Sequence, residues 1–199
     1  MVKEMEKIIT SKVLLAFLHC QRKAHLLLHF DTKGIANEYI GILEQKKQDL
    51  KNEYLVNLKT QNDLVDSFDI KSIHGADYFI NAVLRFENIE ATCDLLKIIK
   101  GSSSFNRCVF EPIIFVGTYT ISNEQKTELL FFGHVLSKIQ GKCPEIGRII
   151  GMNKRTSKTD LKKSSKQLTP ILAQLSEIAN DESYEPPIIL NTNCSYCQF

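Results

Sequence analysis

The stretch that decides the fold runs from Tyr78 to Thr120: Tyr78-Phe79-Ile80-Asn81-Ala82-Val83-Leu84-Arg85-Phe86, then Glu90 to Lys100, then Arg107 to Thr120. β-Branched and aromatic residues dominate all three runs, which predicts strands. Gly101-Ser102-Ser103-Ser104 between the last two fits a hairpin connection. A strand meander therefore forms the centre of the chain.

Helical patterns flank it. Ser11 can cap a helix reaching about Phe30, with Val13, Leu14, Phe17, Leu18, Leu26, Leu27 and Leu28 as its apolar surface and Cys20 inside it. From Asn37 to Leu58 a polar segment repeats Ile40, Leu43, Leu50, Tyr54 and Leu58, an amphipathic arm packed on one side. Ser122 and Gln125 have capping-box spacing for a helix to about Gln140. Ile146 to Met152 reads as a short strand and Asp160 to Ala179 as a last helix, which Pro170 should kink or restart. Helices, a meander, a helix and a further strand indicate an α+β or mixed α/β sheet. We read 1–199 as one domain: a helical part over 1–65, a sheet core over 70–152, and a basic segment, helix and cysteine tail over 153–199.

With 199 residues and 43% hydrophobic content, the chain has enough apolar surface for a real core. The net charge of +2 hides an asymmetry, because Lys142 to Lys166 holds eight Lys and Arg against Glu145 and Asp160. Such a run is either a solvated face or, if one surface collects Lys154, Arg155, Lys158, Lys162, Lys163 and Lys166, a phosphate-attracting patch. No run approaches the length of a spanning apolar helix, and Met1-Val2-Lys3-Glu4-Met5-Glu6-Lys7 lacks a signal-peptide pattern. The expectation is a soluble, cytoplasmic protein with no membrane partner, whose six irregularly spaced cysteines stay reduced.

Two sets of residues could carry chemistry. Cys194 and Cys197 form a Cys-x-x-Cys pair near the end of the chain, with Cys20 far upstream. The spacing suits a soft metal or an iron–sulfur centre in preference to a redox dithiol or two unremarkable cysteines, because the pair follows the loop from Glu185 to Asn193 instead of opening a helix after a strand. Asp94 and Glu111 stand in adjacent predicted strands, where two carboxylates can hold Mg²⁺ or Mn²⁺ and so activate water against a phosphodiester. The histidines add less: His25 and His29 have i, i+4 spacing on the first helix beside His19, and His74 precedes Gly75. His19, His25 and His29 read best as surface or interface residues, and His74 could lie near the sheet entrance.

A resemblance joins these pieces. Ile9-Thr10-Ser11 leading to Cys20-Gln21-Arg22-Lys23-Ala24, then Cys93-Asp94-Leu95-Leu96, Phe110-Glu111-Pro112-Ile113-Ile114-Phe115, Ile139-Gln140-Gly141-Lys142-Cys143-Pro144 and the closing Leu190 to Phe199 occur in this order. The ordered set resembles the RecB-like branch of the PD-(D/E)xK nuclease superfamily, close to the CRISPR-associated iron–sulfur exonucleases. The resemblance implies a restriction-endonuclease-like central mixed sheet flanked by helices, an N-terminal helical arm, and metal-dependent hydrolysis of DNA, as single strands or duplex ends. It assigns Asp94 and Glu111 to Mg²⁺ or Mn²⁺, Glu53 as a helical carboxylate completing the site, and Gln125 as a supporting helical Gln.

Two departures follow. Ile113 occupies the position of the motif lysine, so Lys126 is the candidate for a lysine supplied from a neighbouring helix. The resemblance also assigns Cys20, Cys194 and Cys197 to a 4Fe–4S cluster and requires one more Cys just beyond Phe199. The expectation is therefore the N-terminal fragment of a longer protein, with a C-terminal domain as partner. Cys93, Cys108 and Cys143 could substitute as ligands, although the two in the meander read as small packed residues. The alternative function is a catalytically weak or inactive nuclease-fold module that binds nucleic acid or a protein. A zinc or redox domain unrelated to nucleic acid would use the cysteines but leave the ordered likeness unexplained.

Overall fold

The structure is a computed structural model that describes residues 7–30, 34–35, 37–66, 76–100 and 108–199. The strands are β1 (Ile9–Thr10), β2 (Leu64–Asp66), β3 (Tyr78–Phe86), β4 (Ile89–Lys100), β5 (Cys108–Phe115), β6 (Ile146–Ile150) and β7 (Thr156–Asp160). The helices are α1 (Ser11–His19), α2 (Gln21–His29), α3 (Glu38–Lys59), α4 (Asn123–Gln140) and α5 (Leu161–Asn180), and a 3₁₀ turn spans Thr192–Tyr196. The strands form one mixed sheet in the order β2-β3-β4-β5-β6-β7, with β1 added to the start of β4. The expected mixed α/β architecture is thus present. His74 and the Gly101–Ser104 turn lie outside the described residues.

One face of the sheet carries the larger core, in which Phe79, Leu84, Leu96, Phe110 and Ile149 pack with buried residues of α1, α2, α4 and α5. The other face carries a smaller core under α3, built from Tyr78, Ile80, Leu95, Ile113, Phe115, Ile150 and Leu50. With both faces covered, the central strands read as continuous apolar runs instead of simple alternation.

Four details differ from the sequence reading. The first helix breaks at Cys20, whose extended backbone (φ −165°) ends α1 and opens α2, and Thr10 rather than Ser11 caps α1 by accepting from the Val13 N–H. α5 runs unbroken through Pro170, because Pro170 and Lys166 both lie on the solvent side, where water can serve the Lys166 carbonyl that has lost its helical donor. The sheet extends past both ends of 70–152, through β2 and β7. The first turns of α3 overhang the core, leaving Tyr39, Ile40 and Ile42 exposed, so the arm packs through its second half.

The β3–β4 ladder contains an irregularity that positions the site. Ile80 pairs with Leu95 and Ala82 with Cys93, while Asn81 and Asp94, opposite one another, form no ladder pair. Asn81 has φ 52°, the left-handed region that Asn tolerates better than most residues. Across this point both strands change phase: Ile80 and Leu95 belong to the α3 core, whereas Ala82 and Cys93 belong to the other. The paired bulge turns the Asn81 and Asp94 side chains together toward α3.

Candidate functional site

Asp94 is the centre of a charged cluster under α3. Its Oδ1 lies 3.2 Å from Lys51 Nζ and its Oδ2 3.4 Å from Lys47 Nζ, and Oδ2 also accepts from the Phe115 N–H at 3.0 Å. Lys51 is 4% exposed and donates to Asn81 Oδ1 at 2.5 Å. Lys47 and Lys51 stand one helical turn apart, so one face of α3 delivers both ammonium groups to one carboxylate.

Glu128 of α4 and Glu44 of α3 complete the electrostatics. Burial, followed by the fields of Asp94 and Glu44, pushes the Glu128 carboxyl up to about 7 even though Lys47 pulls it down. Lys47 is shifted upward: burial opposes its charge, but Asp94, Glu128 and Glu44 together outweigh that cost. Glu44, Lys47, Gln125 and Glu128 line one cavity of about 280 Å³ that opens beside Gly117 and Thr118, where the chain leaves β5. Gly117 is required there, since a Cβ would stand 2.0 Å from the Leu43 carbonyl oxygen. Gln125 accepts from the Ser122 N–H in the expected capping box and donates to Thr118 Oγ1 at 3.2 Å, tying α4 to the cavity rim.

Asp94 and Glu111 are not brought together. Glu111 pairs with Lys97 across the ladder, three residues along β4 from Asp94, which at the rise of a strand is about 10 Å. It is 4% exposed and ion-paired to Arg148 of β6. Bonding to separate cations and offset in register, the two carboxylates do not form the expected pair for Mg²⁺ or Mn²⁺ in this arrangement. The charged neighbours of Asp94 are Lys47, Lys51 and Glu128, none of which the motif singles out.

The other assigned residues are dispersed. Lys126 lies on the exposed side of α4, outside this cavity, and the cations beside Asp94 come from α3 instead. Glu53 is exposed on α3 and ion-paired to Lys154. In the basic segment Arg148, Lys154 and Lys162 are held by Glu111, Glu53 and Glu145. Arg155, Lys158, Lys163 and Lys166 are exposed and form no ion pair among the described residues.

Cys20, Cys194 and Cys197 share one cleft but are not gathered as ligands of one metal ion. All three line a cleft of about 740 Å³ shared with Glu44, Glu124 and Glu128. The tail is fixed by Asn191 Nδ2 donating to the His19 carbonyl at 3.0 Å and by the Ile35 N–H donating to the Gln198 carbonyl at 2.7 Å. Among the described residues, no three His, Cys, Asp or Glu side chains are gathered closely enough to hold a metal ion. Cys93 is fully buried and its thiol is pushed up to about 12, chiefly by burial, so it packs as an apolar residue. His25 is fully buried with its ring against His29 and Phe30, and His29 Nε2 is 2.8 Å from the Ile178 carbonyl of α5.

No helix among the described residues is long and apolar enough to cross a membrane. No family model matches the chain, and no curated protein matches it.

Proposed function

We propose that the chain is a nuclease-fold domain of RecB-like type that binds the DNA backbone in the cytoplasm, with no efficient phosphodiester hydrolysis of its own. One observation carries this reading: each carboxylate expected to hold the metal is already neutralised within the protein, Asp94 by Lys47 and Lys51 and Glu111 by Arg148. A divalent cation at Asp94 must displace two ammonium groups, one of them buried, and recover their interaction energy. The free cations Arg155, Lys158, Lys163 and Lys166 supply a surface for phosphates that reads no sequence.

A second reading, metal-dependent hydrolysis, rests on Glu128, whose carboxyl lies in the field of Asp94. In this reading Glu128 would replace the displaced Glu111, and Lys51, bonded to Asp94, would take the role that Ile113 cannot. Mg²⁺ or Mn²⁺ would supply the activated water, whereas the three thiols as they stand do not fit the 4Fe–4S cluster that the resemblance implies.

One experiment separates the two. Purified protein is mixed with labelled single-stranded and blunt duplex DNA, with and without Mn²⁺, and both binding and cleavage are followed. Salt-sensitive binding without turnover supports the first reading. Turnover abolished by Asp94→Asn and by Glu128→Gln establishes the second, and absence of binding under low salt refutes both.

A further inference from the structure

The tail holds two thiols in one turn. The Cys197 N–H donates to the Cys194 carbonyl at 3.2 Å, closing the 3₁₀ turn across the Cys-x-x-Cys segment. A turn so closed brings its end Cα atoms within about 7 Å, and disulfides span Cα separations of about 4.4 to 6.8 Å. Cys194 is exposed and Cys197 half-buried, and Cys20 lies on the same cleft. Cys93, by contrast, is sealed in the core.

We propose that Cys194 and Cys197 form a redox-active dithiol that closes to a disulfide and fixes the tail over the cleft. Exposure assigns the order of events. The Cys194 thiolate attacks glutathione disulfide, forming a mixed disulfide and releasing one glutathione thiolate. The Cys197 thiolate then attacks Cys194 Sγ, releasing the second glutathione. Two electrons pass from the protein to glutathione, and the two thiol protons end on the released glutathiones at neutral pH. The closed turn shortens the fluctuations of the segment that bonds His19 and Ile35, so the disulfide acts as a latch between the tail and the rest of the cleft. The proposal is independent of DNA binding and of hydrolysis.

The test uses the full chain incubated with glutathione disulfide, then alkylated and mapped by mass spectrometry. The expected result is a Cys194–Cys197 cross-linked peptide, two fewer maleimide-reactive thiols, and Cys93 still reduced. Cys197→Ser should stop the reaction at the glutathione adduct on Cys194, and Cys20→Ser should leave the bridge intact. Hydrogen exchange of the Ile35 amide should slow in the oxidised protein and recover with dithiothreitol. A wild-type protein that stops at the glutathione adduct, or bridges to Cys20 or Cys143 instead, overturns the proposal. So does a protein purified with zinc or iron on these thiols that resists oxidation.

Discussion

Replacing Glu128 by glutamine should remove a pH dependence of stability that the charged cluster builds in. Glu128 has its carboxyl raised from 4.5 to about 7 in the folded protein, first by burial and then by Asp94 and Glu44. Because the folded value lies above the unfolded one, the native state holds the proton more tightly. Its contribution is therefore fully present below pH 4.5 and is lost as the pH rises through about 7. At 1.36 kcal/mol per pH unit the full loss is about 3 kcal/mol, and partial contact of the side chain with water brings it nearer 2. Glutamine keeps the shape and cannot ionise. Glu128→Gln should match the parent at acid pH and exceed it by roughly 2 kcal/mol at about pH 8.5, an increase of several degrees in Tm for a chain of this size. Urea titrations of both proteins across that range measure the difference directly. A constant stability gap at all pH values would refute the reasoning, since it would place no raised carboxyl at position 128. Mn²⁺ adds a functional arm: if the ion binds here, it releases protons from the parent at pH 6.5 and none from the variant.

Other perturbations probe the same architecture. Asp94→Ala leaves Lys51 buried with Asn81 as its partner and should cost roughly 3 kcal/mol, so it will not leave the fold untouched as a surface ligand would; denaturation of Asp94→Ala beside Lys51→Met/Asp94→Leu checks this, the double variant being the more stable. Glu111→Ala strands Arg148 and should cost about 2 to 3 kcal/mol by the same measurement. Gly117→Ala drives a methyl into the Leu43 carbonyl and should lower Tm by several degrees while displacing Lys47 from Asp94, which a crystal structure of the variant would show. Neutralising Lys158, Lys163 and Lys166 together should weaken DNA binding and reduce the slope of log affinity against log salt by roughly 2 to 3, a change read by fluorescence anisotropy.

Much of the fold could be read from residues, and the reasons for the failures are physical. The Tyr78–Phe86 strand and the Ser122/Gln125 box were legible because each is determined by neighbours in sequence. β1 and β2 have two and three residues, too few for any period to show. β7 is Thr156-Ser157-Lys158-Thr159-Asp160, a polar edge strand that reads as loop because an edge needs little apolar surface and tolerates charge. That Cys20 lies on one cleft with the tail is consistent with the order of the motifs. Lys47 and Lys51 were not legible, since among the lysines of α3 nothing local distinguishes the two that face Asp94. The separation of Asp94 from Glu111 depends on ladder register, which Lys97 opposite Glu111 reveals and hydrophobic pattern does not.

The paired bulge at Asn81 and Asp94 makes the β3–β4 ribbon an inverter: residues of even number point one way on the first side of it and the opposite way on the second. A one-residue deletion elsewhere in either strand would shift the phase of everything beyond it and expose part of the ribbon's apolar residues. Matched deletions of Asn81 and Asp94 would restore a regular ladder with each half still in its own layer, because Ile80 and Ala82, then adjacent, already point to opposite faces. What the polar pair at the centre adds is therefore the seat of Lys51, and the sheet cannot be regularised by design without giving it up.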